Sequence, residues 1–121
     1  MLVNCILVGL GGGLGAVLRA FASNLIKRVW KNDFPLATFL INVVGSFLLG
    51  LLLQYQSDNH MRLLIGTGIL GGFTTFSTFQ YETTHLFRGD KKLTAVLYVL
   101  LSLTFGLSAA WLGLTFHISF Q

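Results

Sequence analysis

The part of the chain richest in groups that could bind an ion follows the pair Gly71-Gly72. Four hydroxyl residues stand there within five positions: Thr74, Thr75, Ser77 and Thr78. Glycine pairs and β-branched residues disfavour a helix, so we predict a break in any helix that contains them. In an apolar setting a broken helix exposes carbonyls that can face a cation and amides that can face an anion. A packed glycine kink, with the hydroxyls bonded to their own helix, is the alternative.

Two aromatic residues, Phe76 and Phe79, are interleaved with these hydroxyls. Their spacing of three places both rings on one face of a helix. Packing in a core or against lipid is the ordinary role of such a pair. Ring edges carry positive charge, however, and beside hydroxyl donors they could line a path for a small anion.

Two other segments carry polar side chains at every fourth position, which also places them on one helix face. The first stripe is Thr38, Asn42 and Ser46, and the second is Thr94, Tyr98 and Ser102. Isolated hydroxyls in membrane helices usually join neighbouring helices by hydrogen bonds. Arg19 is a lone charge in an apolar run, where it could reach the membrane surface or attract anions near a pore mouth.

The overall composition shows what kind of protein must position these groups. Of 121 residues, 54% are hydrophobic and 10% are charged, with a mean hydropathy of +0.75. A soluble domain carries roughly 25% charged residues, so this composition excludes a soluble monomer as well as a disordered chain. The single cysteine, Cys5, excludes an internal disulfide and a multi-cysteine zinc site. The sequence therefore predicts an integral membrane protein.

Four apolar runs predict four transmembrane helices in one all-α domain covering residues 1–121. The predicted spans are 2–26, 36–55, 63–81 and 93–116. Each approaches the ~20 residues that cross a bilayer.

Pairs of small residues four apart predict close helix packing and a dense bundle that continues into an oligomer. The pairs are Gly9/Gly13, Gly11/Gly15, Gly68/Gly72, Gly106/Ala110 and Ala109/Gly113. The spacing of Gly11, Gly13 and Ala16 also fits a dinucleotide-binding turn, but no strand–helix alternation follows, so we do not expect a nucleotide site.

An enzyme is not expected, because no acid, histidine or cysteine stands with a nucleophile inside a span. The histidines, His60, His85 and His117, fall in loops or at span ends. The main alternative function is a small four-helix proton-coupled multidrug antiporter. Such a transporter needs a carboxylate within the membrane, and Glu82, at a helix end, is the only candidate. A structural or holin-like protein would not explain the run of threonines and phenylalanines.

Three segments resemble the CrcB/Fluc family of fluoride channels: GGGLGAVLR at 11–19, NVVGSF at 42–47 and GGFTTFSTF at 71–79. The resemblance extends over the whole chain. It implies an antiparallel (inverted) dimer of four-helix subunits in which helix three is broken mid-membrane. It also implies two fluoride pores, a structural Na⁺ at the dimer centre, and passive fluoride export across the inner (plasma) membrane that relieves fluoride toxicity.

The resemblance also assigns roles to residues. The fluoride pore would comprise Asn42, Thr75, Phe76, Ser77, Phe79, Tyr98 and Ser102. Arg19 and Glu82 would support the vestibule, and main-chain carbonyls of Gly71 and Thr74 would bind Na⁺. Weak donors in series suit fluoride, which is small and strongly hydrated, whereas a wide ring of cations would also pass chloride.

Basic residues are distributed unevenly over the predicted loops. Loops one and three carry Lys27, Arg28, Lys31, Arg88, Lys91 and Lys92, whereas the opposite side carries Arg62 alone. This bias predicts that loops one and three are cytoplasmic and that both termini are outside. An antiparallel dimer needs both orientations, so partnership with an identical chain and with a related chain of opposite bias both stay open. No nucleic-acid partner is expected.

Overall fold

The computed structural model describes residues 1–54 and 59–116, and these residues form helices joined by short connections. In chain order the elements are α1 (Leu2–Val29), α2 (Leu36–Gln54), α3 (Asn59–Met61), the π-helical segment π1 (Arg62–Leu70), α4 (Gly71–Phe73), α5 (Ser77–Arg88) and α6 (Lys92–Thr115). Because α3, π1 and α4 follow one another directly, we call residues 59–73 the first half-helix. The predicted end of the second span, residue 55, and His117 lie outside the described residues.

Three helices, α1, α2 and α6, are long and apolar enough to cross a bilayer. The described residues contain helices and no strand, so the expected all-α membrane fold is confirmed. The predicted third span falls on the first half-helix and the beginning of α5. A crossing made by these two pieces together stays a prediction.

Helix α1 packs against the first half-helix through glycines that bring the two backbones into contact. A Cβ atom at Gly11 would overlap the carbonyl oxygen of Leu64, and one at Gly15 would overlap that of Ile69. A Cβ atom at Gly72 would likewise overlap a carbonyl oxygen of α1. These positions need glycine because no side chain fits between the backbones.

The other predicted small-residue pair of α1 has no such role within the chain. A Cβ atom at Gly9 or at Gly13 would meet no atom within 4 Å. The two glycine pairs of α1 therefore differ: Gly11 and Gly15 form the contact with the first half-helix, and Gly9 and Gly13 lie on the exposed side.

Helices α2 and α6 form a second close contact. A Cβ atom at Gly50 would overlap the carbonyl oxygen of Ala110, and one at Gly113 would overlap that of Phe47. Beyond this contact the Gln54 side-chain amide donates hydrogen bonds to carbonyl oxygens near the end of α6, including that of Phe116 at 2.9 Å. The end of α2 is thereby fixed to the end of α6.

A small core at the other end of α6 joins it to α5. Leu86, Ala95 and Tyr98 are buried together, and three partly buried phenylalanines pack against them: Phe34, Phe39 and Phe79. An ion pair between Lys91 and Asp33 connects the α5–α6 and α1–α2 connections across this end. Two of the three loops therefore meet at one end of the bundle.

Candidate functional site

The chain leaves helical geometry at residues 74–76, between α4 and α5. Thr74 is extended, with a ψ of 157°. Its N–H and its hydroxyl both donate to the carbonyl oxygen of Leu70, at 2.9 and 2.8 Å. Gly71 and Gly72 are still helical, so the geometry changes after the glycine pair rather than within it. The close contact of Gly72 with α1 accounts for this, because packing there outweighs the low helix propensity of glycine.

Asn42 of α2 forms hydrogen bonds with Thr75 through both the nitrogen and the oxygen of its side-chain amide, and we call this pair of bonds the Asn42 clamp. Its Nδ2 donates to the carbonyl oxygen of Thr75 at 3.0 Å, and its Oδ1 accepts from the Thr75 N–H at 2.9 Å. The Thr75 hydroxyl oxygen in turn accepts from the N–H of Thr78 at 3.2 Å, in the first turn of α5. Thr75 is buried, and its backbone and side chain are both engaged in holding the break.

The phenylalanine pair lies directly after this clamp. The rings of Phe76 and Phe79 stack with centroids 6.1 Å apart and planes 23° apart. Phe76 is 69% exposed in the single chain, whereas Phe79 is half-buried and lies 5.0 Å, centroid to centroid, from the ring of Tyr98. The three rings thus form a continuous aromatic row from the surface to the core. Ser77, next to Phe76, is exposed.

Buried polar groups stand behind Phe79. Tyr98 is completely buried, and its hydroxyl lies next to Thr38 and Glu82. The hydroxyl groups of Tyr98 and Ser102 make no well-formed hydrogen bond within the described residues. Buried hydroxyls are normally paired, because removing them from water without a partner costs free energy. These two hydroxyls lie one helical turn apart on α6.

Glu82 lies one residue beyond the predicted third span, where it accepts a hydrogen bond from the Thr38 hydroxyl at 2.5 Å. Burial raises the pKa of its carboxyl above the ordinary value, while the Thr38 hydrogen bond and the charge of Lys27 act against that rise. Thr38 and Asn42 lie one turn apart on α2. Thr38 therefore contacts α5 through Glu82, and Asn42 contacts Thr75 at the break.

Two cavities border the site. One, of about 330 Å³, lies between α2 and the break, and its lining includes Asn42, Gly71, Thr74, Thr75 and Phe76. The other, of about 660 Å³, follows α5, and its lining includes Phe76, Ser77 and Phe79. Phe76 therefore stands between the two cavities. Arg19, half-buried on α1, lines neither of them.

The structure thus brings most of the predicted site residues together around the break and the aromatic row. Sequence reasoning missed Gly45, which is buried against Thr74 and lines the first cavity. The available signal was its position three residues after Asn42, on the same face of α2. Sequence reasoning also placed Thr38 in a polar stripe without identifying Glu82 as its partner.

Comparisons with a family model and with known proteins point to the same family. The family model described as "CrcB-like protein, Camphor Resistance (CrcB)" matches residues 6–114. A protein of Listeria monocytogenes named "Fluoride-specific ion channel FluC 1" is 48% identical over 114 residues, which cover 94% of this chain and 97% of that protein. Proteins named "Fluoride-specific ion channel FluC" are similar as well. The one from Ruminiclostridium cellulolyticum is 44% identical over 117 residues, covering 93% of this chain and 90% of its own length. The one from Campylobacter jejuni is 41% identical over 117 residues, covering 93% and 96%.

Proposed function

The chain belongs to the CrcB family, and from this premise we propose that it is a fluoride-specific channel that conducts fluoride passively across a membrane. The observation that carries the proposal is the similarity over nearly the full length of both chains to proteins named fluoride-specific ion channels. The membrane is the cell's inner (plasma) membrane, where passive export of fluoride relieves its toxicity.

The site supports an anion path built from weak donors. The hydroxyls of Tyr98 and Ser102 are buried on α6, the ring of Tyr98 contacts Phe79, and the stacked ring of Phe76 continues the row to the surface. Hydroxyl groups and ring edges can replace the hydration shell of a small anion step by step, without a fixed charge that would hold it.

On this proposal the fluoride pore follows the aromatic row and the polar groups around it. Its residues are Asn42, Thr75, Phe76, Ser77, Phe79, Tyr98 and Ser102. Arg19 and Glu82 support the vestibule, Glu82 through its hydrogen bond with Thr38.

The functional unit is proposed to be an antiparallel dimer with Na⁺ bound at its centre. The cavity of about 330 Å³ at the break is lined by Gly71 and Thr74, and a second subunit placed against it would bring a second set of carbonyls to the same point. The proposed ligands are the main-chain oxygens of Gly71 and Thr74. Carbonyl oxygens released by a break in a helix suit a hard cation such as Na⁺.

The partner subunit is either a second copy or a related chain. The bias of basic residues toward loops one and three favours one orientation of this chain, and the ion pair between Lys91 and Asp33 joins those two loops. A related subunit with the opposite bias would then supply the inverted half.

A proton-coupled antiporter receives no support from the relatives, which are named as channels. An ion channel is also not a class of enzyme.

The proposal is tested with purified protein in liposomes loaded with potassium fluoride or potassium chloride. Efflux is started by adding valinomycin and followed with ion-selective electrodes. We expect fluoride efflux well above that of protein-free liposomes, with chloride retained. Retention of fluoride by liposomes that contain folded protein would contradict the proposal, and drug uptake driven by a proton gradient would favour the antiporter.

A further inference from the structure

Gly45 contacts the break at a point where no side chain could be accommodated. A Cβ atom at this position would overlap Cγ2, the methyl carbon of Thr74. The next nearest atoms are farther away, Cβ of Thr74 at 3.7 Å and Cδ1 of Phe73 at 3.8 Å, both at ordinary van der Waals distance. The missing side chain of Gly45 therefore forms a notch that holds one methyl group.

The Thr74 side chain is fixed in two directions by this arrangement. Its hydroxyl donates to the Leu70 carbonyl oxygen at 2.8 Å, on its own half-helix, and its methyl group lies in the notch on α2. A β-branched side chain held at both branches has one χ1 rotamer. The Thr74 side chain thereby joins the first half-helix to α2.

The notch and the Asn42 clamp act on adjacent residues of the break. Asn42 and Gly45 are three residues apart, on one face of α2, and they hold Thr75 and Thr74 respectively. The next residue in the chain is Phe76, which stands between the two cavities. The position of its ring depends on where Thr74 and Thr75 lie.

We propose that Gly45 is a positioning residue for conduction, because its notch seats the Thr74 methyl group and so holds the break where Asn42 can clamp Thr75. The inference rests on the proposed function and adds a residue that does not itself line the aromatic row. Helix propensity alone would favour alanine at this position, so a loss of function on substitution points to a lost contact, and Cγ2 of Thr74 is the nearest atom.

The test is a suppressor experiment with the full-length protein in liposomes. Gly45→Ala should reduce fluoride efflux about tenfold or more, since displacing positioned groups by about 1 Å has effects of that size or larger. The double variant Gly45→Ala with Thr74→Ser should recover most of the efflux. Serine keeps the hydroxyl for Leu70 and lacks Cγ2, which leaves only ordinary contacts around the new methyl group. The single variant Thr74→Ser, which empties the notch without creating an overlap, should reduce efflux less than Gly45→Ala does.

Gly106→Ala is the matched control. A Cβ atom there would lie 3.8 Å from Oγ of Ser46, the residue after Gly45, so the same substitution makes an ordinary contact with the same part of α2. It should leave efflux unchanged. Wild-type efflux from Gly45→Ala, or a failure of Thr74→Ser to restore a folded Gly45→Ala protein, would overturn the proposal.

Hydrogen exchange separates this proposal from the proposed function. The amides of Thr74 and Thr75 both donate within the break, to Leu70 and to Asn42. Their exchange should be faster in Gly45→Ala and slow again in the double variant, whether or not the protein conducts fluoride. Absence of wild-type efflux would refute the proposed function alone, whereas unchanged exchange in Gly45→Ala would refute the role of the notch.

Discussion

Asn42 and Thr75 are joined by a reciprocal pair of hydrogen bonds, with donor–acceptor distances of 3.0 and 2.9 Å, between one side-chain amide and one residue's backbone. The pair supplies the partners that a helix would otherwise provide, at a place where the chain is not helical. The Asn42 amide has two N–H groups and uses one of them here. The second N–H remains for another acceptor, so holding the break and contributing to a pore are compatible roles.

Asn42→Asp should destabilise the protein. An aspartate can still accept from the Thr75 N–H, but it places a carboxylate oxygen against the Thr75 carbonyl oxygen, where the amide donated. Loss of a donor beside a buried acceptor costs about 1–3 kcal/mol. Thermal unfolding followed by tryptophan fluorescence measures the effect, and Asn24→Asp, at an exposed position on α1, is the control. Equal stability of Asn42→Asp and wild type would speak against the clamp.

Phe76→Ile should strongly reduce fluoride efflux while leaving the protein folded. Isoleucine keeps the hydrophobic character of a residue that is 69% exposed in the single chain but removes the ring that stacks on Phe79. Phe87→Ile is the control, since Phe87 is also an exposed phenylalanine and lies near the far end of α5, whereas Phe76 directly precedes that helix. Undiminished efflux through Phe76→Ile would show that the ring packs without lining the path.

Ionisation of Glu82 should lower the stability of the folded protein as the pH rises. Because burial raises the pKa of this carboxyl above the unfolded value of 4.5, the folded state holds the proton more tightly than the unfolded state. The stabilisation is complete below the unfolded pKa and is lost as the pH rises through the folded one. Glu82→Gln should remove this pH dependence because glutamine does not titrate. Its amide oxygen can still accept the hydrogen bond from Thr38.

The measurement is the unfolding temperature between about pH 5 and about pH 8, compared for wild type and Glu82→Gln. Asp90→Asn, at an exposed position, is the control and should keep the wild-type slope. If the unfolding temperature of Glu82→Gln depended on pH as steeply as that of wild type, another group would be responsible for the effect.

Removal of Na⁺ should weaken the proposed dimer. The predicted ligands are the carbonyls of Gly71 and Thr74, which no side-chain substitution removes, so ion replacement is the direct test. We expect the dimer to dissociate at a higher protein concentration when K⁺ or N-methylglucamine replaces Na⁺, as measured by light scattering after size-exclusion chromatography. Dimer stability that is the same in all three cations would count against a sodium site.

The chain should insert predominantly in one orientation. Cysteines placed in tags at either terminus, in a background where Cys5 is replaced by serine, should react with an impermeant reagent from outside intact cells. Replacing Lys27, Arg28 and Lys31 by glutamine should weaken the preference, because the bias depends on basic residues near the span ends. Equal labelling from both sides in the parent chain would indicate dual topology and remove the argument for a related partner.

The sequence allowed the helices to be predicted better than the roles of the hydroxyl groups. Lengths of apolar runs and spacings of glycine are local properties, and they correctly indicated the long helices and the contact through Gly11 and Gly15. The π-helical geometry of π1 has no comparable signature in composition.

The threonines show why the site was harder to predict. The hydroxyls of Thr74 and Thr83 donate to the preceding turn, the Thr75 hydroxyl oxygen accepts from the first turn of α5, and the Thr38 hydroxyl donates to Glu82. One residue type has three different roles here, and the choice depends on backbone geometry and on neighbours distant in sequence. Gly45 was missed for the same reason, since it contacts the methyl group of Thr74, which is distant in sequence.

The contact between Gly50 on α2 and Gly113 on α6 also constrains how the protein is made. The segment that packs on α1 follows α2 in the chain, whereas α6, which packs on α2, follows all the other described helices. Until Gly113 has left the ribosome, the groove at Gly50 has to be covered by lipid or by the insertion machinery. We therefore expect this contact to form late during membrane insertion, since α6 packs onto a helix that was synthesised well before it.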